Sequence, residues 1–174
     1  MKSSQRTRGV RPAVVPRADA PIPEPARRLR REDGAAAVEF AIVASLFFML
    51  VFGIIDFGFA FHSWNNAANA AREGARVAAV DANPVDITNR VMTSATGLDP
   101  TKLSIQLQCA HVDPTTHVQS PFGACAWSSL AEGDLILVIV NYQYKMITPV
   151  SSFIPGLGTS LNLHSQSEAR FEGQ

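Results

Sequence analysis

The feature that most constrains the fold of this chain is a long apolar segment at residues 35–61. Between Glu39 and Asp56 it contains sixteen consecutive uncharged, mostly large apolar residues. With its apolar flanks, the segment exceeds the roughly 20 residues that a helix needs to cross about 30 Å of hydrocarbon. It is apolar on all sides, unlike an amphipathic surface helix. A buried core helix is the alternative, but a domain of this size has no core that would surround it. We therefore predict a transmembrane helix over residues 35–61.

The net charge of zero over 174 residues conceals two oppositely charged parts. Residues 1–34 contain nine Lys or Arg and four Asp or Glu, whereas the rest of the chain contains six and eleven. Such asymmetry indicates that the two parts occupy different places. A nucleic-acid surface is an alternative for the basic part, but that part has no interleaved aromatic residues and no folded frame, so we predict no nucleic-acid partner. Its five prolines and lack of apolar periodicity predict a disordered leader over residues 1–34.

Arginines flank the apolar segment on one side only. Four of them precede it, at positions 27, 28, 30 and 31, and the next basic residue is Arg72. The positive-inside rule places the N-terminus in the cytoplasm and everything after Phe61 across the membrane. A cleaved secretory signal peptide would have a shorter apolar region followed by small residues. We therefore expect the chain to remain anchored through a single span.

Residues 62–82 predict an extracytoplasmic continuation of the same helix. The segment is rich in alanine, the strongest helix former, and contains no proline. Glu73 and Arg76 are spaced to pair at i,i+3. The helical glycines are expected to bend the helix at most, and Asn83-Pro84 marks its boundary. Small side chains recur at helical spacing on one face (Ala67, Ala71, Ala75 and Ala78).

Residues 83–174 predict a small α+β head domain. A short helix is expected at residues 85–96, ended by Gly97 and Pro100. Alternation of apolar and polar residues predicts a strand around residues 103–107, and β-branched and aromatic residues predict a stronger one at 134–144. A weaker strand is predicted at 160–171. The predicted fold class is thus α+β, with a long N-terminal helix and an antiparallel sheet in the head.

Glu39 is a carboxylate at the entrance of the predicted membrane helix, where charge is costly and usually functional. If a peptidase cuts after Gly34, Ala35 becomes the new N-terminus and Glu39 its fifth residue. The carboxylate can then neutralise the α-amino group of a neighbouring subunit in a low-dielectric helix bundle. Alternatively, Glu39 lies in the headgroup region and interacts only with the helix dipole. The residues alone leave both interpretations open.

Two blocks of sequence carry a resemblance to a known family. The block GAAAVEFAIVASLFFMLVFGIIDFG, followed by AAREGARVAA, resembles the N-terminal signature of TadE-like and TadG-like proteins of tight-adherence (Flp) pilus systems. The resemblance implies processing between Gly34 and Ala35, assembly through Glu39 and Phe40, and a helix signature at Arg72, Glu73, Gly74 and Arg76.

This resemblance implies a minor pseudopilin or assembly factor in the bacterial cytoplasmic membrane. The implied partners are a prepilin peptidase, other pilin or pseudopilin subunits, the inner-membrane assembly platform and membrane lipid. A function of a different class is an unprocessed single-span anchor that presents its head as an adhesin or binding module.

No catalytic motif or cofactor site is predicted, so the chain is not expected to be an enzyme. It contains no G-x-S-x-G motif, and Gly156-Leu157-Gly158 is not followed by the Lys of a phosphate loop. The four histidines have no evident acidic partner in the sequence. Asp56 is expected to lie among lipid headgroups without a specific role, and pairing with a partner subunit is the alternative.

The two cysteines, Cys109 and Cys125, flank His111 and His117. This spacing fits no compact zinc pattern, so no metal site is predicted. Outside the cytoplasm a disulfide is the better interpretation. Closing a loop of about 15 residues would stabilise the domain by ~3 kcal/mol in the chain-entropy estimate.

Overall fold

The computed structural model describes residues 26–154, 156 and 158–173, with side-chain surroundings from Gly34 onwards. Most of the predicted leader, residues 1–25, lies outside the described residues. The chain divides into two compact units between Val43 and Ala44.

The first element is helix α1, Ala26–Ala78, with 53 residues. It begins nine residues before Ala35, so the prediction of disorder is wrong for residues 26–34. The physical reason is that Pro25 is the last proline before the span, and the Ala, Arg and Leu residues that follow it are strong helix formers. The helix continues through its glycines and ends at Ala78, four residues before the predicted end at residue 82.

Helix α1 contains a segment, Gly34–Ala78, that is long and apolar enough to cross a membrane. Residues 34–50 are exposed apart from half-buried Ala44. Their large apolar side chains include Phe40, 73% exposed, and Leu46, 70% exposed. Water is a poor solvent for so continuous an apolar surface, whereas lipid is a good one. Among the described residues this is the one helix of such length and composition, which indicates a single-pass membrane protein.

Helix α2, Pro84–Ser94, follows a short connection. The Asn83 side chain caps it by accepting a hydrogen bond from the Val85 N–H at 3.0 Å, and Pro84 occupies the first turn, where its missing N–H costs nothing. The predicted boundary at Asn83-Pro84 is therefore the start of a second helix, and five residues, 79–83, separate it from the end of α1.

The head contains the predicted antiparallel sheet, and its three strands lie in the order β1-β2-β3. Its strands are β1, Leu103–Ala110; β2, Leu135–Lys145; and β3, Ser160–Arg170. The register places Val140 of the central strand between Ile105 and Ser165. A one-turn helix, α3, Val150–Phe153, lies in the connection between β2 and β3.

The core of the head forms between the C-terminal part of α1 and one face of the sheet. The predicted alanine stripe is buried there, with Ala67, Ala71 and Ala78 fully inaccessible to solvent. Alternate residues of β2 supply the opposite side (Ile136, Val138, Val140, Tyr142 and Tyr144). Since alanine keeps the helix surface flat, the larger residues of the sheet can approach the α1 backbone closely. The stripe therefore packs against the chain's own head.

Candidate functional site

The signature segment of α1 lies where helix α2 and strand β2 both pack on α1. Gly74 is buried, and a Cβ added to it would lie 2.3 Å from Val91 Cγ2 and 3.2 Å from Val138 Cγ1. The first distance is shorter than any van der Waals contact. Glycine at position 74 therefore permits the close approach of Val91 in α2, which is itself fully buried.

Charged residues of the same segment orient α2 on α1. The Glu73 carboxylate accepts hydrogen bonds from Arg90 of α2, at 2.6 Å from Nη2 and 3.2 Å from Nε, and from Arg76 at 3.3 Å. The Glu73–Arg76 pair was predicted, whereas Arg90 was not. The hydrogen bond from Arg90 is the main reason that the pKa of Glu73 lies below its usual value. These side chains are well exposed, so the cluster orients α2 on α1 and contributes little to the free energy of unfolding.

Arg72 takes no part in this cluster. Its guanidinium donates to Asn69 Oδ1 at 3.0 Å, one turn earlier in α1. Three of the four predicted signature residues (Glu73, Gly74 and Arg76) thus lie together where α2 packs, and Arg72 lies beside them on the exposed side of the helix.

Asp56 links the end of the apolar run to the connection between β2 and α3. It is 7% exposed. Its Oδ1 accepts a hydrogen bond from the Ile147 N–H at 2.9 Å and from the Tyr144 hydroxyl at 3.4 Å, and Thr148 donates through both its N–H and its hydroxyl. The expectation that Asp56 has no specific role is wrong, and its described partners belong to its own chain.

The physical reason for this error is sequence distance. Residues 144–148 lie some ninety positions beyond Asp56, and local patterning does not indicate which loop returns to the helix. A buried carboxylate is stable only when donors replace its lost water, and the converging donors supply that replacement.

Three further hydrogen bonds join α1 and the residue after it to the rest of the head. The Trp64 indole N–H donates to the His164 carbonyl at 3.1 Å, and the Asn66 side chain donates to the Thr96 carbonyl at 3.0 Å. Beyond the helix end, the Ala79 carbonyl accepts from the Glu172 N–H at 2.8 Å. Together with Asp56, these contacts hold the head along the second part of the helix.

The residues predicted for processing and assembly lie in the first unit, within helix α1. Gly34, Ala35, Glu39 and Phe40 are all exposed. A Cβ added to Gly34 would meet nothing within 4 Å. Among the described residues, the Glu39 carboxylate has no hydrogen-bond or ion-pair partner. This surface is available to lipid or to other subunits.

The predicted disulfide joins Cys109 to Cys125, with Cα atoms 4.8 Å apart. It fastens the loop after β1 to the end of that strand, and Cys109 and Gly123 exchange backbone hydrogen bonds beside it. Within the described part of the chain, no group of three or more His, Cys, Asp or Glu side chains is arranged to hold a metal ion.

The side chains of His111 and Asp134 form a polar contact near the disulfide. The His111 Nδ1 lies 2.7 Å from Asp134 Oδ1, so the expectation that the histidines lack an acidic partner is wrong for His111. Burial raises the pKa of Asp134, but hydrogen bonds from the Ala131 and Val112 N–H groups and from His111 outweigh it, and the pKa lies below its usual value. Because the donors tie loop ends to the start of β2, Asp134 orders this corner of the head.

The structure thus defines a class: a single-span membrane protein whose α+β head packs on the second part of its own anchor helix. Residues 34–76 match the model of the TadE-like protein family, so the resemblance of this segment is confirmed. That family comprises structural and assembly components of tight-adherence pili rather than enzymes. No curated protein and no solved structure gives a significant match to the chain.

Proposed function

We propose that this protein is a minor pseudopilin or assembly factor of a tight-adherence pilus that acts through the exposed, apolar N-terminal part of α1. The supporting observation is that the matched segment has an exposed first part and a buried second part. Its first part, residues 34–50, is exposed and apolar, whereas Gly74 and the alanines around it are buried under the head. A protein that joins a helix bundle needs one helical surface for its partners and another for its own head.

Processing is proposed between Gly34 and Ala35, by a prepilin peptidase on the cytoplasmic side. The helix runs through this junction, so cleavage requires local unwinding. Glycine favours unwinding because it is about 1 kcal/mol less stable than alanine inside a helix. Among the described residues, no atom within 4 Å of the position of a Gly34 Cβ holds the junction in place.

After cleavage, the Glu39 carboxylate would face the α-amino group of a neighbouring subunit. An unpartnered charge is costly in a helix bundle surrounded by lipid, and an opposite charge removes that cost. The absence of a described partner for the Glu39 carboxylate within its own chain supports this role. Phe40, the next residue, would pack between subunits through its exposed ring.

The proposed topology places the arginine-rich N-terminus in the cytoplasm and the head outside. The charge distribution supports it, since arginines precede the span and acidic residues predominate after it. The disulfide in the head is also favoured by an oxidising compartment. The proposed location is the bacterial inner membrane, with the pilus assembly platform and other subunits as partners.

Two substitutions separate processing from assembly. Gly34→Leu is expected to leave a full-length, membrane-bound precursor, because the bulkier side chain obstructs the scissile position although the fold has room for it. Glu39→Ala is expected to insert and to be cut at least in part, but not to co-purify with pilus components or to support piliation. Phe47→Ala, also on the exposed apolar surface, is the control for simple loss of side-chain contacts.

Chain length is read from the mass of the membrane-extracted protein, and assembly from piliation. If Glu39→Ala assembles like the parent and Gly34→Leu is also functional, the pilin mechanism is wrong. The protein would then act as an unprocessed anchor that presents its head as an adhesin or binding module.

A further inference from the structure

We propose that the connection between β2 and β3 is a membrane-inserted element, in which residues 146–154 enter the acyl region of the leaflet on the head side beside α1. The occupant of their apolar surface is lipid. The inference depends on the membrane span of α1, and it is independent of processing and of pilus assembly.

The position of the loop along α1 indicates that it lies at membrane depth. Val150 and Phe153 face Ser45, Phe48, Met49 and Phe52 of α1 across a cavity of about 420 Å³. The uncharged run between Glu39 and Asp56 is shorter than the roughly 20 residues that cross the hydrocarbon, so the whole run is needed for the span. A loop that lies beside residues 45–52 is therefore at membrane depth.

The surface of the loop is apolar and exposed. Ile147 and Phe153 are each 66% exposed, and Ile154 is 38% exposed. The sequence from Met146 to Ser160 contains no charged residue. Exposed aliphatic and aromatic side chains on an uncharged loop are unfavourable in water and favourable in acyl chains.

Irregular structure at membrane depth requires hydrogen-bond partners for its backbone polar groups. The Ile147 and Thr148 N–H groups donate to Asp56, and the Met146 N–H donates to the Thr159 carbonyl at 3.0 Å. The Ser152 N–H donates to the Pro149 carbonyl at 2.9 Å, and proline itself has no N–H. Asp56 therefore supplies acceptors to a loop that would otherwise carry unpaired donors into lipid.

The apolar surface of the loop is also continuous with that of α1. Phe48 and Met49 line the same cavity and are exposed on the anchor helix. One continuous apolar surface made by helix and loop fits lipid, and it would fix the height of the head above the membrane.

A fluorescent probe measures the depth of the loop. The native cysteines are paired, so an added cysteine in the full-length protein is labelled alone when no reductant is present. Phe153→Cys and Ile147→Cys carry an NBD probe in phosphatidylcholine vesicles that contain doxyl-labelled lipid. Val118→Cys is the matched control, because Val118 is also 66% exposed but lies in the disulfide-bonded loop. Leu46→Cys reports on the span itself.

The proposal predicts blue-shifted emission and loss of most intensity to doxyl lipid at positions 153, 147 and 46, with neither effect at 118. Quenching at 46 but not at 153 or 147 would overturn the inserted loop and leave the span intact. Blue-shifted probes at 153 and 147 that resist lipid quenching would also overturn it, and would indicate a protein partner. An unquenched probe at 46 would contradict both the span and the loop.

Discussion

A Cβ placed on Gly74 would lie 2.3 Å from Val91 Cγ2, so the glycine of the signature segment and a valine of α2 define how closely the two helices pack. Val91 is fully buried between α1 and the sheet and cannot move outwards without opening the core. The Arg-Glu-Gly-Ala-Arg segment is thus part of the head's own packing.

Gly74→Ala is expected to destabilise the head by about 1–3 kcal/mol, the usual cost of overpacking. Unfolding of the detergent-solubilised protein, followed by fluorescence of Trp64 and Trp127, measures the change. Gly58→Ala is the control, since nothing lies within 4 Å of the position its Cβ would take. Equal unfolding midpoints for the two variants would contradict the close-packing role.

Asp56→Ala is expected to free the β2–β3 connection from α1, because its N–H donors lose their shared acceptor. Each unsatisfied buried donor costs about 1–3 kcal/mol. Faster proteolysis within residues 146–159 measures the release. Thr148→Val removes the hydroxyl donor to Asp56 and should act in the same direction, whereas Thr148→Ser keeps that donor and should resemble the parent. Unchanged proteolysis of Asp56→Ala would contradict the tether.

Asp134 is expected to make the head sensitive to acid. Its folded-state pKa lies below the usual 3.8, so its stabilising effect is complete well above that value. The effect falls as the pH drops through 3.8 towards the lower folded pKa, because protonation removes the negative charge and weakens the hydrogen bonds from the Ala131 and Val112 N–H groups. The free energy of unfolding of Asp134→Asn, measured between pH 6 and pH 2, should therefore be lower at pH 6 and depend less steeply on pH than that of the parent. Parallel curves would rule out this contribution.

The Cys109–Cys125 bridge is expected to block both thiols in protein taken from the cell envelope, and labelling should succeed only after reduction. Replacing both cysteines with serine should lower stability by up to about 3 kcal/mol, since the bridge closes a short loop. Free thiols without reductant would contradict both the bridge and the external position of the head.

Elements with a strong local signal could be predicted from the sequence. The apolar run, the alanine stripe and the β-branched strand at residues 135–145 each follow from composition and periodicity within one segment. The paired cysteines also follow, once the topology is assumed.

Contacts between distant segments could not be predicted in this way. From the sequence alone, Gly74 suggests only a bend in the helix. The side chain that leaves no room for a Cβ at position 74 belongs to Val91, which lies on another helix. From the sequence alone, Asp56 is expected to lie among lipid headgroups, because the residues that donate hydrogen bonds to it lie some ninety positions later. His111 and Asp134 are 23 residues apart and meet only after the sheet has formed.

The central claim is that the chain is processed at Gly34 and acts through the helix that begins at Ala35. The intact mass of the protein extracted from the membranes of a cell that carries the tight-adherence system tests it most directly. We expect the parent protein to have the mass of residues 35–174 with the disulfide intact, and Gly34→Leu to have the full-length mass. The mass of the full chain in the parent protein, or a chain that begins elsewhere, would contradict the account.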